Sequence, residues 1–116
     1  MIMIRNLRTK KTLAHKKTIG ASIHAKAIGL MFSKRIHDEG LIFVFDNEGK
    51  RDLHMFSVFY PIDVIFLDKK KKIVELKEHF KPFTFYTAQK KSQYVIELPD
   101  SSIRKSKTKI GDRISF

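Results

Sequence analysis

Residues 54–68, HMFSVFYPIDVIFLD, constrain the fold more than any other stretch of this chain. They read as two apolar β segments, 53–60 and 62–67, broken at Tyr60-Pro61, because proline has no N–H to give to a ladder. Asp63 lies among large hydrophobes. In a strand it shares a face with Ile65 and Leu67, while Ile62, Val64 and Phe66 take the other. A carboxylate in that setting destabilises the fold unless it is hydrogen-bonded or paired. Asp63 is therefore either a structural acceptor for backbone N–H groups freed at the Pro61 break or a functional group. The sequence favours the first.

The remaining segments are short and end on turn chemistry. Residues 1–8 read as a strand and 9–17 as a basic turn with a polar second strand. Ser22 is an N-cap for a short helix to Met31, with Ile23, Ala27, Leu30 and Met31 on one face. Residues 33–40 form a polar loop. Residues 41–45, LIFVF, are a strand buried on both faces, and 46–49, DNEG, are a turn. Residues 68–72, DKKKK, make a charged hairpin tip. Residues 73–80 alternate with one largely polar side, which places them near a sheet edge. Residues 84–86 and 93–98 are further strands. Asp100-Ser101-Ser102 caps a helical turn to Lys105, and 110–116 close as a strand with a turn or bulge at Gly111-Asp112.

These elements predict an α+β domain that is mostly β. It is a small, largely antiparallel, barrel-like sheet of about seven or eight short strands, with one short helix and a second helical turn. Closing or nearly closing the barrel would remove exposed edges. The 116 residues are expected to form one domain, with 1–17 as a basic N-terminal strand or hairpin. No cysteine is present, which excludes disulfides, thiolate metal sites and cysteine nucleophiles. No signal-peptide pattern opens the sequence, and no apolar run approaches the roughly 20 residues of a membrane helix. A cytoplasmic protein without a membrane partner is expected.

Charge is unevenly spread. Residues 1–37 hold nine basic residues and no acid, although the chain as a whole carries +12. Arg5, Arg8, Lys10, Lys11, Lys16 and Lys17 begin this stretch and are candidates for contact with nucleic acid or another polyanion. Lysine outnumbers arginine 18 to 6, which suits a solvated face better than specific phosphate or base readout. His54 and His79 sit on strands and are, with Asp63, the candidate acid–base groups. No ligand spacing for a metal and no nucleotide-binding loop occurs, so no metal or cofactor is expected. Ser57, Ser101 and Ser102 lack a nucleophile motif. Glu75 and Glu78 have opposite strand parity and, with Glu97, give no argument for a catalytic pair. Phe80, Phe83, Phe85, Tyr86 and Tyr94 lie near Lys81, Lys90 and Lys91, a mixture able to stack single-stranded bases or simply to pack a core.

AIGLMF (27–32), GLIFVF (40–45), PIDVIFLD (61–68), YVIELP (94–99) and IGDRI (110–114) occur in this order. Together they resemble the domain-of-unknown-function family 192, over about residues 18–116. The resemblance implies a small, mostly β fold with a short helix before the Gly-Leu-Met-Phe element, and it implies no activity. Many members carry Trp-Met-Lys-Asn before the Pro-x-Asp step, where this chain has His54-Met55-Phe56-Ser57. Many bacterial members also look exported.

The expected function is a non-enzymatic binding or accessory protein, with Asp63, His54, Phe83 and Tyr94 as candidate ligand contacts. One alternative is a nucleic-acid-binding barrel that uses the basic N-terminal third. Another is a small hydrolase or lyase that uses Asp63 with a histidine.

Overall fold

The computed structural model describes residues 3–20 and 37–116. The elements run β1 (Ile4–Asn6), β2 (Thr12–Ala14), β3 (Lys16–Gly20), β4 (Glu39–Gly49), β5 (Asp52–His54), β6 (Ile62–Leu67), β7 (Ile73–Phe80), β8 (Phe85–Thr87), β9 (Ser92–Pro99), α1 (Ser102–Ser106) and β10 (Ile114–Ser115). Five strands form the main sheet in the order β3-β4-β9-β6-β7. Every residue of β6 is buried, as its apolar run requires. Pairing is antiparallel except for β3 and β4, whose parallel register runs from Lys16↔Glu39 to Gly20↔Phe43. The expected helix over 22–31 lies outside the described residues.

Both faces of this sheet are apolar, and each has its own cover. Ile62, Val64 and Phe66 of β6 join Phe43, Val95 and Phe80 on one face, under Met55, Val58, Tyr60 and Ala88. Ile65 and Leu67 join Ile42, Ile96 and Leu98 on the other, under Ile4, Leu13, Ala14, Ile103 and Ile114. The second cover is the three-stranded sheet β10-β1-β2 together with α1. Gly40 permits its close approach, since a Cβ there would lie 2.3 Å from Ile4 Cδ1.

The expected closed or nearly closed barrel is not formed. The main sheet ends at β3 and β7, and β5 and β8 make a separate two-stranded sheet. A barrel has one apolar interior, whereas a sheet apolar on both faces has to be covered twice. As the alternation of 73–80 predicts, β7 is an edge strand.

Three boundaries differ most from the sequence expectation. Strand 53–60 ends at His54, and the chain then turns, with Val58 N–H donating to the Met55 carbonyl at 3.3 Å and Ser57 at φ 57°. The residues at 46–49 continue β4 instead of turning, because Gly49 regains pairing with Ser92 after a register shift. The final strand shortens to Ile114–Ser115, after a turn in which Gly111 takes φ 95°. The 68–72 tip forms as expected, with Asp68 Oδ1 accepting from the amides of Lys70 (2.8 Å) and Lys72 (3.0 Å).

A buried polar cluster ties the first strand to the last turn. Asn6 is fully buried, and its Oδ1 accepts from the amides of Arg8 (2.9 Å) and Thr9 (3.0 Å). Its Nδ2 donates to Thr108 Oγ1 at 3.0 Å and to Asp112 Oδ2 at 2.9 Å. Arg8 Nε donates to Asp112 Oδ1 at 2.5 Å. Hydrogen bonding from Arg8 holds the Asp112 carboxyl down at about 2, so its contribution to stability is present above the unfolded-state value and is lost only as pH falls toward 2. Replacing Asn6 by Ala removes four bonds, leaving the part-buried Arg8 and Thr9 amides and the buried Thr108 and Asp112 acceptors without this partner. A loss of about 3 kcal/mol in urea unfolding at neutral pH is expected, and an unchanged midpoint would show that the cluster is not a clamp.

Candidate functional site

Asp63 is fully buried on β6. Its Oδ1 accepts from the backbone N–H of His79 at 3.0 Å, and its Oδ2 accepts from that of Ile103 at 2.8 Å. Both donors have a structural origin. Ile62 pairs with Phe80 and Val64 with Lys77, so Glu78 and His79 together face the single residue Asp63. His79, at φ 49°, is the bulged residue whose amide leaves the ladder. Ile103 is the second residue of α1, whose capping residue Ser101 has φ 72° and makes no side-chain cap bond. The carboxylate from β6 takes the place of that cap. The amides it satisfies come from the β7 bulge and the α1 start, not from the Pro61 break.

The two candidate histidines point elsewhere. His79 contributes its amide to Asp63, while its ring Nδ1 lies 3.0 Å from Asp100 Oδ1. His54 is exposed on β5, and its Nδ1 accepts the Phe56 amide at 3.2 Å. The geometry therefore does not bring an imidazole ring onto the Asp63 carboxylate among the contacts of either residue.

His54 instead borders an aromatic shelf. Phe56, Phe59, Phe83 and Phe85 are 46–67% exposed. Phe56 packs edge-on against Phe85 with ring centroids 4.8 Å apart, and Phe59 against Phe83 at 5.3 Å. The His54 ring is 5.3 Å from that of Phe56. The loop bearing Phe83, at φ 59°, is fastened by its amide to the Met55 carbonyl at 2.7 Å, and Met55 N–H reaches Thr84 O at 2.8 Å. Of the aromatic run noted in the sequence, Phe80 is buried and Tyr86 is half-buried against the same core. Phe56 and Phe59 escaped the sequence reading because a strand over 53–60 would have alternated. In the turn, Met55 and Val58 enter the core and the phenylalanines between and after them face outward.

Tyr94 does not join this shelf. It packs with the opposite apolar cluster, edge-on to Phe116 at 5.3 Å. The four expected ligand contacts therefore divide between the two faces of the sheet. Of the basic candidates, Arg8 is held by Asp112 and by the Lys107 carbonyl, and Arg5 Nε donates to the Lys10 carbonyl at 3.3 Å. Lys10, Lys11 and Lys16 are exposed, and Lys17 is half-buried.

Two further carboxylates are buried. Glu75 is occupied by the Tyr86 hydroxyl and by the amides of Gln89 (2.9 Å) and Lys90 (2.8 Å), which fixes the turn after β8. Burial and this carboxylate push the Tyr86 hydroxyl up to about 12. Glu97 differs: it sits at the centre of the sheet between Leu41 and Val64, and its Oε1 has no hydrogen-bond partner among the described residues. Burial pushes its carboxyl up to about 7. Among the described residues no three His, Asp or Glu gather as metal ligands, and no helix is long and apolar enough to cross a membrane.

Comparison with known proteins places this architecture. The DUF192 family model, described as "Uncharacterized ACR", matches residues 6–116 and so takes in most of the basic N-terminal hairpin. A UPF0127 protein of Thermococcus sibiricus is 30% identical over 116 residues, covering 98% of this chain and 74% of that protein. A UPF0127 protein of Thermococcus kodakarensis is 38% identical over 90 residues, and the match spans 76% of this chain but only 56% of its relative. Among solved structures, a Sinorhizobium meliloti protein provisionally described as a transcription regulator superposes with a TM-score of 0.88 at 20% identity, over 97% of this chain and 91% of that one. A Novosphingobium aromaticivorans protein of unknown function gives the same score and identity over 98% and 84%. At this identity both show the fold alone.

Proposed function

We propose that this chain, which belongs to the DUF192 family, works as a non-enzymatic binding module whose contact surface is the phenylalanine shelf. One observation carries the reading: four phenylalanines stand 46–67% exposed in two edge-to-face pairs. Exposed apolar patches on a protein surface mark places of contact. The enzymatic alternative has less support, since both Asp63 oxygens accept backbone amides in a site without solvent exposure.

Single-stranded nucleic acid is the ligand class that uses both properties of this surface. Bases stack on aromatic faces while lysines follow the phosphates. Exposed Lys81 adjoins the shelf in sequence, and the chain carries +12.

Anisotropy of a labelled oligothymidine is the test. Binding should be saturable at low salt and should fall as salt rises, with a log–log slope of about −0.7 per phosphate contact. The double substitution Phe56→Ala, Phe85→Ala should weaken it at least about tenfold, since one lost stacking contact is worth roughly 1–3 kcal/mol. No binding at low salt overturns the nucleic-acid assignment. Binding unchanged in the double variant moves the site off the shelf. Self-association that the double variant abolishes makes the shelf a contact between copies instead.

A further inference from the structure

A second site, lined by none of the shelf phenylalanines, lies at one end of the main sheet. β4 starts there, β9 ends there and β6 starts there, as the pairings Leu41↔Glu97 and Ile62↔Pro99 require. That register gathers residues 37–38, 60–61 and 99–100 around a cleft of about 320 Å³, and Lys105 of α1 completes the lining. The volume is at the small end of the range for small-molecule sites.

The lining divides into an apolar wall and a set of charges. Pro61 and Pro99 have no N–H to offer and provide apolar surface, with the buried Tyr60 beside them. The charged groups are Asp38, Asp100 and Lys105, with His37 beside them. Both carboxylates are held by an imidazole. His15 Nδ1 lies 2.8 Å from Asp38 Oδ2, and His79 Nδ1 lies 3.0 Å from Asp100 Oδ1. Each aspartate is thus positioned with acceptor capacity left over, and Asp100 Oδ2 has no described partner. His79 is itself fixed by the bulge that Asp63 holds, so the buried pin supports this cleft indirectly.

Two carboxylates disfavour an anion, and Lys105 disfavours a simple dication. A ligand with an ammonium and a carboxylate on a small aliphatic body satisfies all three charged groups and the proline wall together. We propose that this cleft binds a small zwitterion of the amino-acid type, its ammonium on Asp38 and Asp100, its carboxylate on Lys105 and its side chain against Pro61 and Pro99.

The experiment is an amide-resolved NMR titration with L-leucine, leucylglycine, isoamylamine and isocaproate. L-Leucine or leucylglycine should shift the amides of residues 38, 100 and 105 saturably. A response to leucine without leucylglycine assigns a free amino acid, and the reverse assigns a short peptide. Isoamylamine, which lacks the carboxylate, and isocaproate, which lacks the ammonium, should bind more weakly. Asp100→Asn should weaken the zwitterion about tenfold or more, the loss of one charge-assisted hydrogen bond. Lys105→Met should weaken the zwitterion and leave isoamylamine unchanged. The spectra themselves report whether each variant is folded. The proposal is overturned if neither zwitterion gives saturable shifts at the cleft, if isoamylamine binds as well as leucine, or if both substitutions leave leucine binding intact.

Discussion

Asp63→Asn is expected to lower the unfolding free energy by about 4 kcal/mol, a drop of roughly 15 °C in melting temperature for a chain of this size. The carboxylate accepts one backbone amide on each oxygen, from His79 and Ile103, in a site with no solvent exposure. Asparagine keeps the shape but turns one acceptor into an NH₂ donor. One of the two amides then faces a donor, and neither water nor a neighbouring acceptor replaces what it lost. The surviving bond also loses its charge assistance. The effect should be local before it is global: hydrogen exchange at His79 and Ile103 should speed up more than at the neighbouring β9 amides, as the bulge and the first turn of α1 loosen together. A group held there for chemistry rather than structure would leave melting nearly unchanged on substitution. That outcome, with unaltered exchange at both amides, would sink the pin and reopen Asp63 as a catalytic candidate.

What the sequence makes legible follows how local each cause is. β6, β7 and the turn between them are readable residue by residue. β6 is a continuous apolar run, β7 alternates up to its bulge at Glu78-His79, and Asp68 makes the tip with amides two and four residues away. The fold class and the family follow from the same apolar runs. The partners of Asp63 are another matter, since they lie 16 and 40 positions along the chain. The presence of a carboxylate in need of acceptor work is visible in the sequence, while the donors become visible only once β7 bulges and α1 docks. Asn6 and Asp112, 106 residues apart, have no sequence signal as a pair. Residues 55–60 mislead for a different reason. Phenylalanine-rich sequence suggests strand, but here a turn with Ser57 at φ 57° puts Met55 and Val58 inward and Phe56 and Phe59 outward. The barrel expectation fails on the same scale: only the pairing order shows that the sheet stops at β7 and is covered on both faces.

Glu97→Leu is expected to stabilise the protein, and by more at pH 8 than at pH 4. Glu97 occupies the middle strand of the main sheet, opposite Leu41 on one side and Val64 on the other, with Oε1 unpartnered among the described residues. Burial raises its carboxyl from 4.5 to about 7. The sign follows from the proton count. Below 4.5 the group is protonated in both folded and unfolded chains and adds no pH dependence. Between 4.5 and 7 the unfolded chain releases its proton while the folded one retains it, so stability falls as pH rises. Above 7 both are ionised and the deficit stays constant at about 3 kcal/mol. Leucine is shorter than glutamate and only slightly larger in volume, suits the Leu41 and Val64 neighbours, and has nothing to ionise. The difference in unfolding free energy between variant and wild type, from urea curves at pH 4, 6 and 8, should therefore widen across that range and level off at its upper end. Other groups titrate equally in both proteins and cancel in the difference. A difference that is flat with pH would mean that Glu97 is solvated or paired in the folded protein. A rising one would show a central strand that accepts an ionisable group where an aliphatic residue folds better, a choice that packing alone does not account for.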